Sequence, residues 1–225
     1  MHGRAVPPAG RDLLGEFGTA LGDFSWDVAL LQEVPPWWPR RLADTLAAEP
    51  RLVLTSRNFG LPARRALATR WPDILKSSGG GCNAILVRRG GGAGPVVEHR
   101  ARRLRLLPER RRLHAVRLAG GAWVGNLHLT VRDAQAALEE ARLAAATARA
   151  WAAGAPLVLG GDFNVRGLAL EGLACAANHD VDYVFAGGAA RPAGPPAVLD
   201  RGRLSDHAPV AVTVALGQGT EEGQL

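Results

Sequence analysis

The chain has 225 residues, 47% of them hydrophobic, which is enough for one domain whose apolar core needs no disulfide or metal staple to fold. Its net charge is +6, but all but one of its 27 basic residues are arginine (Lys76 is the only lysine), and alanine and glycine are abundant, a skew that a GC-rich genome writes into any protein. Charge alone therefore names no partner, although a positive field favours an anionic ligand. The two cysteines, Cys82 and Cys175, lie too far apart for a CxxC zinc site or a disulfide framework, and they fit a reducing, cytoplasmic compartment.

Residues 11–21 place Leu13, Leu14, Phe17 and Leu21 on one face at helical spacing. Residues 27–33 (DVALLQE) then form a short apolar run closed by a polar pair, the pattern of a buried strand with functional residues at its end. Pro35 and Pro36 stop it and open a second helix through Leu46. Residues 51–55 suit a strand, and 58–78, broken by prolines, suit a loop with some helix. The turn SSGGG (77–81) leads into a strand at 82–88 (CNAILVR), and GGGAG (90–94) makes a second turn.

Three strands are expected at 95–107, 113–118 and 123–130. A long helix follows from Asp133, a suitable N-cap, to about Ala153. The strand 156–160 delivers GDFN beyond its C-terminal end. Residues 166–176 suit a short helix, 181–185 a strand, 186–196 a Gly/Pro-rich surface loop, and 197–200 and 208–215 a last pair of strands around SDH. The tail 217–225 suits disorder. The arginine-rich run 100–112 fits a solvated strand edge better than a dedicated DNA groove. Many strands and few long helices in mixed order imply one α/β domain over residues 1–216, with two packed mixed sheets flanked by helices. No apolar run reaches the ~18 residues of a membrane span, and the first ten residues lack the apolar core of a secretory signal.

Polar residues collect just beyond the apolar strands: Glu33, Asn126 and His128, Asp162 and Asn164, Asp182, Asp206 and His207. Carboxylate and amide oxygens suit a hard ion such as Mg²⁺, and imidazoles beside them suit proton transfer or phosphate contact. Phosphoryl transfer needs that mixture. Each group alone has a plainer reading: Asp162 and Asn164 as an Asx turn, His128 as a core histidine, Asp182 as a turn residue. Ser205, Asp206 and His207, adjacent on one chain, cannot align nucleophile, base and orienter as a hydrolase triad.

In order along the chain, LQEV (31–34), CNAILVR (82–88), NLHL (126–129), GDFN (161–164), VDYVF (181–185) and SDHAPV (205–210) resemble the motifs of the endonuclease/exonuclease/phosphatase superfamily, over residues 26–216 or so. The resemblance implies a four-layer deoxyribonuclease I-like sandwich and a Mg²⁺-dependent phosphoesterase, with Mn²⁺ as the alternative ion. It implies Glu33 as a metal ligand and Asp206 as a direct or outer ligand. Asp162 would orient or deprotonate the attacking water, and Asn164 would hydrogen-bond a phosphate oxygen. His207, held by Asp182, would bind the scissile phosphoryl group, while His128 would protonate the leaving oxygen and Asn126 would support its strand and the bound substrate.

The family's first strand, ending in an Asn that helps hold the metal, has no counterpart, since no Asn precedes Asn58. The expectation is a start assigned too late, or else an impaired enzyme or a phosphate-binding protein. Val34 at the end of LQEV, and His128 where repair nucleases tend to use Tyr, lean away from abasic-site repair and toward the deoxyribonuclease, sphingomyelinase and general phosphatase branches. The expected partner is a phosphate ester, nucleic acid included, acted on by a monomer. Trp37, Trp38 and Trp71 either line a groove or fill the core.

Overall fold

Two β-sheets stack face to face, and helices cover both outer faces, giving the four layers expected. The computed structural model describes residues 12–55, 63 and 81–217. The first outer layer is α1 (Leu14–Asp23) with α2 (Trp38–Thr45). Beneath it lies a three-stranded antiparallel sheet of β1 (Val28–Val34), β2 (Ala48–Leu54) and β3 (Cys82–Arg88), in the order β1-β3-β2.

The second sheet has six strands in the order β4-β5-β6-β7-β9-β8. These are β4 (Val96–Arg105), β5 (Arg111–Leu118), β6 (Trp123–His128), β7 (Leu157–Asp162), β8 (Leu173–His179) and β9 (Asp182–Gly187). Only β6 and β7 run parallel, and the link between them is the 19-residue helix α3 (Ala134–Ala152), which forms the fourth layer. Short strands β10 (Ala190–Pro192), β11 (Ala197–Val198), β12 (Val210–Ala211) and β13 (Val214–Leu216) pair as β10–β13 and β11–β12.

Alternation explains the layers. In β3, Cys82, Ala84 and Leu86 face the α1–α2 side, while Ile85 and Val87 face the other sheet, so the strand is apolar on both faces. On the outer side of the six-stranded sheet, α3 turns a stripe of Ala137, Ala141, Ala144 and Ala148 toward Leu113, Leu127, Leu157 and Phe163. Such small residues let the helix axis come close. Asp133 caps this helix, its Oδ1 accepting from Ala136 N at 3.0 Å. In β7, Gly161 has φ +136°, and a Cβ there would stand 2.1 Å from Leu127 O, so only glycine lets β7 close against β6 at this point.

The expected strand at 82–88 and the capped helix from Asp133 are present, and the strand expected at 123–130 is present over Trp123–His128. Residues 166–176 do not form a helix. Gly172 sits at φ +71°, and from Leu173 the chain runs extended as β8, because pairing with β9 supplies the hydrogen bonds that its alanines would otherwise satisfy helically. The expected loop 186–196 contains β10, and 208–215 divides into β12 and β13. Trp38 is buried against Phe17 with ring centroids 5.3 Å apart, so it fills core, and Trp37 packs on the same cluster. Trp71 and the expected loop at 58–78 lie outside the described residues, apart from residue 63. The two cysteines are free thiols, Cys82 buried and Cys175 exposed. Among the described residues no helix is long and apolar enough to cross a membrane.

Candidate active site

Parallel β6 and β7 end side by side, and the antiparallel β9 begins at the same level, so one edge of the six-stranded sheet collects strand-terminal side chains. Backbone register aligns His128 with Asp162, Asp162 with Asp182, and Asp182 with His179. Continuing the other way, the Leu113–Leu127 pair sets Arg112 beside His128, and Arg103 is opposite Arg112. Cross-strand partners project on the same face, so Arg103, Arg112, His128, Asp162, Asp182 and His179 form one transverse row across all six strands. Odd-numbered neighbours such as Leu113, Tyr183 and Phe185 point the other way, into the α3 layer.

Within the row, His128 is 3% exposed, with Nε2 3.5 Å from Asp162 Oδ2. On its other side Nδ1 lies 3.7 Å from Glu33 Oε1, which comes from the opposite sheet. Glu33 reaches in because β1 bulges between Leu31 and Val34, where Glu33 takes φ +52°. Asp162, 2% exposed, accepts the backbone N–H of Asn164 at 2.9 Å, the Asx turn that GDFN suggests. Asn164 itself sits at φ +52°, and its Nδ2 donates to Leu129 O at 3.0 Å, tying the 128–130 segment to the β7 exit.

His207 arrives on the loop before β12. Its Nδ1 is 2.6 Å from Asp182 Oδ2. Burial alone would lower its pKa. The hydrogen bond and charge of Asp182, with the charges of Asp162 and Asp206, outweigh burial and raise it above the ordinary histidine value. The loop is clipped from within: Arg201 Nη1 donates to Asp206 O at 2.8 Å, and the fully buried Ser205 Oγ accepts the His207 backbone N–H at 3.1 Å. Ser205 is thus part of a turn.

Oxygens of Asp162 and Asp182 and a ring nitrogen of His207 all lie within 4.8 Å of one another. That cluster differs from the Glu33–Asp206 pair expected to hold metal; Glu33 stands across His128 from it. Several carboxylates converging from both sheets on a half-open edge are a hard donor set of the kind that takes Mg²⁺ or Mn²⁺.

Asn126 is wholly buried, and its amide is used inside the protein. Nδ2 donates to Leu31 O at 3.0 Å and Ala84 O at 2.9 Å, and Oδ1 accepts from Gln32 Nε2 at 2.7 Å. It bolts the two sheets together directly below His128, which supports the site's geometry rather than offering a hand to substrate.

Several contributors are invisible to motif reading. Glu140, 2% exposed on α3, accepts from Thr130 N at 2.9 Å and from Thr130 Oγ1 at 2.7 Å, and pairs with Arg105, pinning the segment that follows His128. In sequence it is one more charged residue on an alanine-rich helix; only its position on the apolar stripe could have marked it. Arg201 is equally silent until the fold is known, and Gln32, although inside LQEV, gives no sign in sequence of its bond to Asn126.

The endonuclease/exonuclease/phosphatase family model matches residues 7–207. Among solved structures, the endonuclease/exonuclease/phosphatase from Beutenbergia cavernae matches with TM-score 0.70 and 19% identity, covering 96% of this chain and 69% of that one. A mannosyl-6-phosphatase of Bacteroides thetaiotaomicron gives 0.66 and 16%, covering 90% of each chain. The D. rerio protein TDP2 complexed with single strand DNA product gives 0.65 and 16%, covering 90% and 91%. No curated protein matches in sequence. With the family's fold and a matching model over most of its length, the chain belongs to the endonuclease/exonuclease/phosphatase family.

Proposed function

We propose that this chain is a single-domain, metal-dependent phosphoesterase that hydrolyses a phosphate ester by direct attack of water. The observation that carries this reading is the convergence of Asp162, Asp182 and His207 within 4.8 Å, with His128 and Glu33 flanking them. Glu33 and Asp206, with Asp162 nearby, would hold Mg²⁺, or alternatively Mn²⁺; when bound, the ion offsets phosphate charge and acidifies water.

The chain's own groups do the rest. Asp162, buried and oriented by Asn164 N–H, takes a proton from the attacking water. His207, its charged form favoured by Asp182 at 2.6 Å, donates a hydrogen bond to a phosphoryl oxygen. Asn164 adds an amide donor on the same side. His128, between Glu33 and Asp162, delivers a proton to the leaving oxygen. The mannosyl-6-phosphatase and the DNA-bound TDP2 have the same fold, which supports ester hydrolysis without choosing a substrate.

The test is hydrolysis of a chromogenic phosphodiester and a phosphomonoester by the 225-residue chain, with Mg²⁺, with EDTA, and with His207→Ala as control. Turnover that EDTA and the substitution both abolish is the expected result. Turnover indifferent to EDTA, or equal in the variant, would refute the assignment.

A further inference from the structure

The β4–β5 end of the transverse row carries two cations that the reaction above does not use. Arg103 and Arg112 are directly opposed in register on the face shared with His128 and Asp162. Like charges opposite each other across strands repel, and proteins normally neutralise them. The neighbouring arginines show this: Arg105 pairs with Glu140, Arg111 with Glu109 at 2.7 Å, and Arg100 and Arg117 share Glu98 at 2.6 and 3.1 Å. Arg103 and Arg112 have no acidic partner among the described residues, and Arg112 Nε is shielded from solvent with no hydrogen-bond partner.

Arg103 is exposed on the edge strand β4, and Arg112 beside it on β5 is half-buried. Strands in a sheet are about 4.8 Å apart, which sets Arg112 one spacing and Arg103 two spacings from the strand bearing His128. A guanidinium pair at that range matches a phosphate next to the one being cleaved, held by charge-assisted, bidentate hydrogen bonds.

We infer that Arg103 and Arg112 form a second-phosphate subsite, so that the substrate carries at least one phosphate beside the scissile one. This rests on the phosphoesterase reading above for the identity of the scissile site. The shared chemistry, two neighbouring phosphates, can come from a single-stranded nucleic acid or from a small bisphosphate.

The experiment measures binding in EDTA, where nothing turns over. The full chain is titrated with a fluorescent single-stranded oligodeoxynucleotide across a salt series, and separately with fructose bisphosphate and with inorganic phosphate followed by thermal shift. Compared are the parent, Arg103→Ala/Arg112→Ala, Arg112→Lys, and Arg100→Ala/Arg117→Ala, which removes the same charge from the opposite face. For the nucleic-acid source, the Arg103/Arg112 variant loses about tenfold or more in affinity, and its slope of log affinity on log salt flattens by about 1.4, roughly 0.7 per lost phosphate contact. Arg112→Lys keeps part of the affinity, and the opposite-face variant keeps the slope. If the source is a small bisphosphate, the loss appears in the fructose bisphosphate arm and not with inorganic phosphate. Melting of the Arg103/Arg112 variant at or above the parent temperature shows that it folds, since a repulsive pair has been removed. Unchanged affinity and slope in both arms, or equal losses in the opposite-face variant, overturn the subsite. Arginine-dependent binding in a chain that never hydrolyses an ester would leave the subsite standing and sink the phosphoesterase reading.

Discussion

The layer between the two sheets is built from the same strands at both ends, yet its ends differ in kind. At one end Ile85, Val87, Val116, Leu118 and Val124 interdigitate as an apolar cluster. At the other, Gln32, Asn83, His114, Asn126 and His128 fill the equivalent positions, all buried. A few residues along β3, β5 and β6, the layer changes from oil to amide and imidazole. The apolar end holds the sheets together without directional demands. The polar end holds them through directed bonds such as those of Asn126, and thereby fixes the distances among groups that do chemistry.

The sharpest way to break this contrast is to show that chemistry and stability separate along the layer. Asp162→Asn should lower turnover of a chromogenic ester by roughly a thousandfold, with melting little changed, because a proton acceptor is lost but the Asx turn remains. At the opposite end, Ile85→Ala should cost about 3 kcal/mol in denaturant unfolding while the folded fraction keeps its specific activity. Equal loss of activity in both variants would mean that the two ends are not independent. Asn126→Ala falls between them. It should cost about 2–3 kcal/mol, because two carbonyls and the Gln32 amide lose their partner, and it should also reduce activity by loosening the shelf under His128.

Smaller effects sharpen the same comparison through pH. His114, wholly buried with Nδ1 3.2 Å from His99 Nε2, has its pKa driven down to about 3, first by burial and then by the charge of His99. The unfolded chain binds that proton near pH 6.5 and the native chain does not, so stability should fall as pH drops from about 6.5 toward 3, by at most about 1.4 kcal/mol per pH unit. His114→Gln should flatten that slope. His207 has the opposite sign. Its pKa is raised, so its contribution to the metal-free protein is full below about 6.5 and is lost as pH rises through the folded value. Thermal melts of metal-free parent and His207→Ala should converge above that window; parallel curves throughout would show that the Asp182 pair adds nothing.

How much of this was legible beforehand follows from what is local. Strand ends at Glu33, His128 and Asp162, and the Asx turn at GDFN, are written in a few adjacent residues each. The Asp182–His207 pair joins residues 25 apart, and only the ordered set of motifs pointed to it. The Asn126 bolt spans 95 residues to Leu31, so sequence offered a strand support but no view of its fully occupied amide. The arginine run 100–112 reads as a solvated edge, which suits Arg100, but cross-strand register decides which arginines find an acid, and register is not a property of one segment. The strand at Leu173–His179 is not legible in the sequence, because an alanine-rich stretch satisfies either period.

The transverse row has an evolutionary consequence. Each of its members occupies a separate strand whose spacing is set by backbone hydrogen bonds, so a change at one station does not shift the others. Stations at the margins, Arg103 and Arg112 on one flank and His179 on the other, can be exchanged without disturbing His128, Asp162 and Asp182 at the centre. Selection could thus retarget such a scaffold to new esters one residue at a time, keeping the machinery while rewriting its borders.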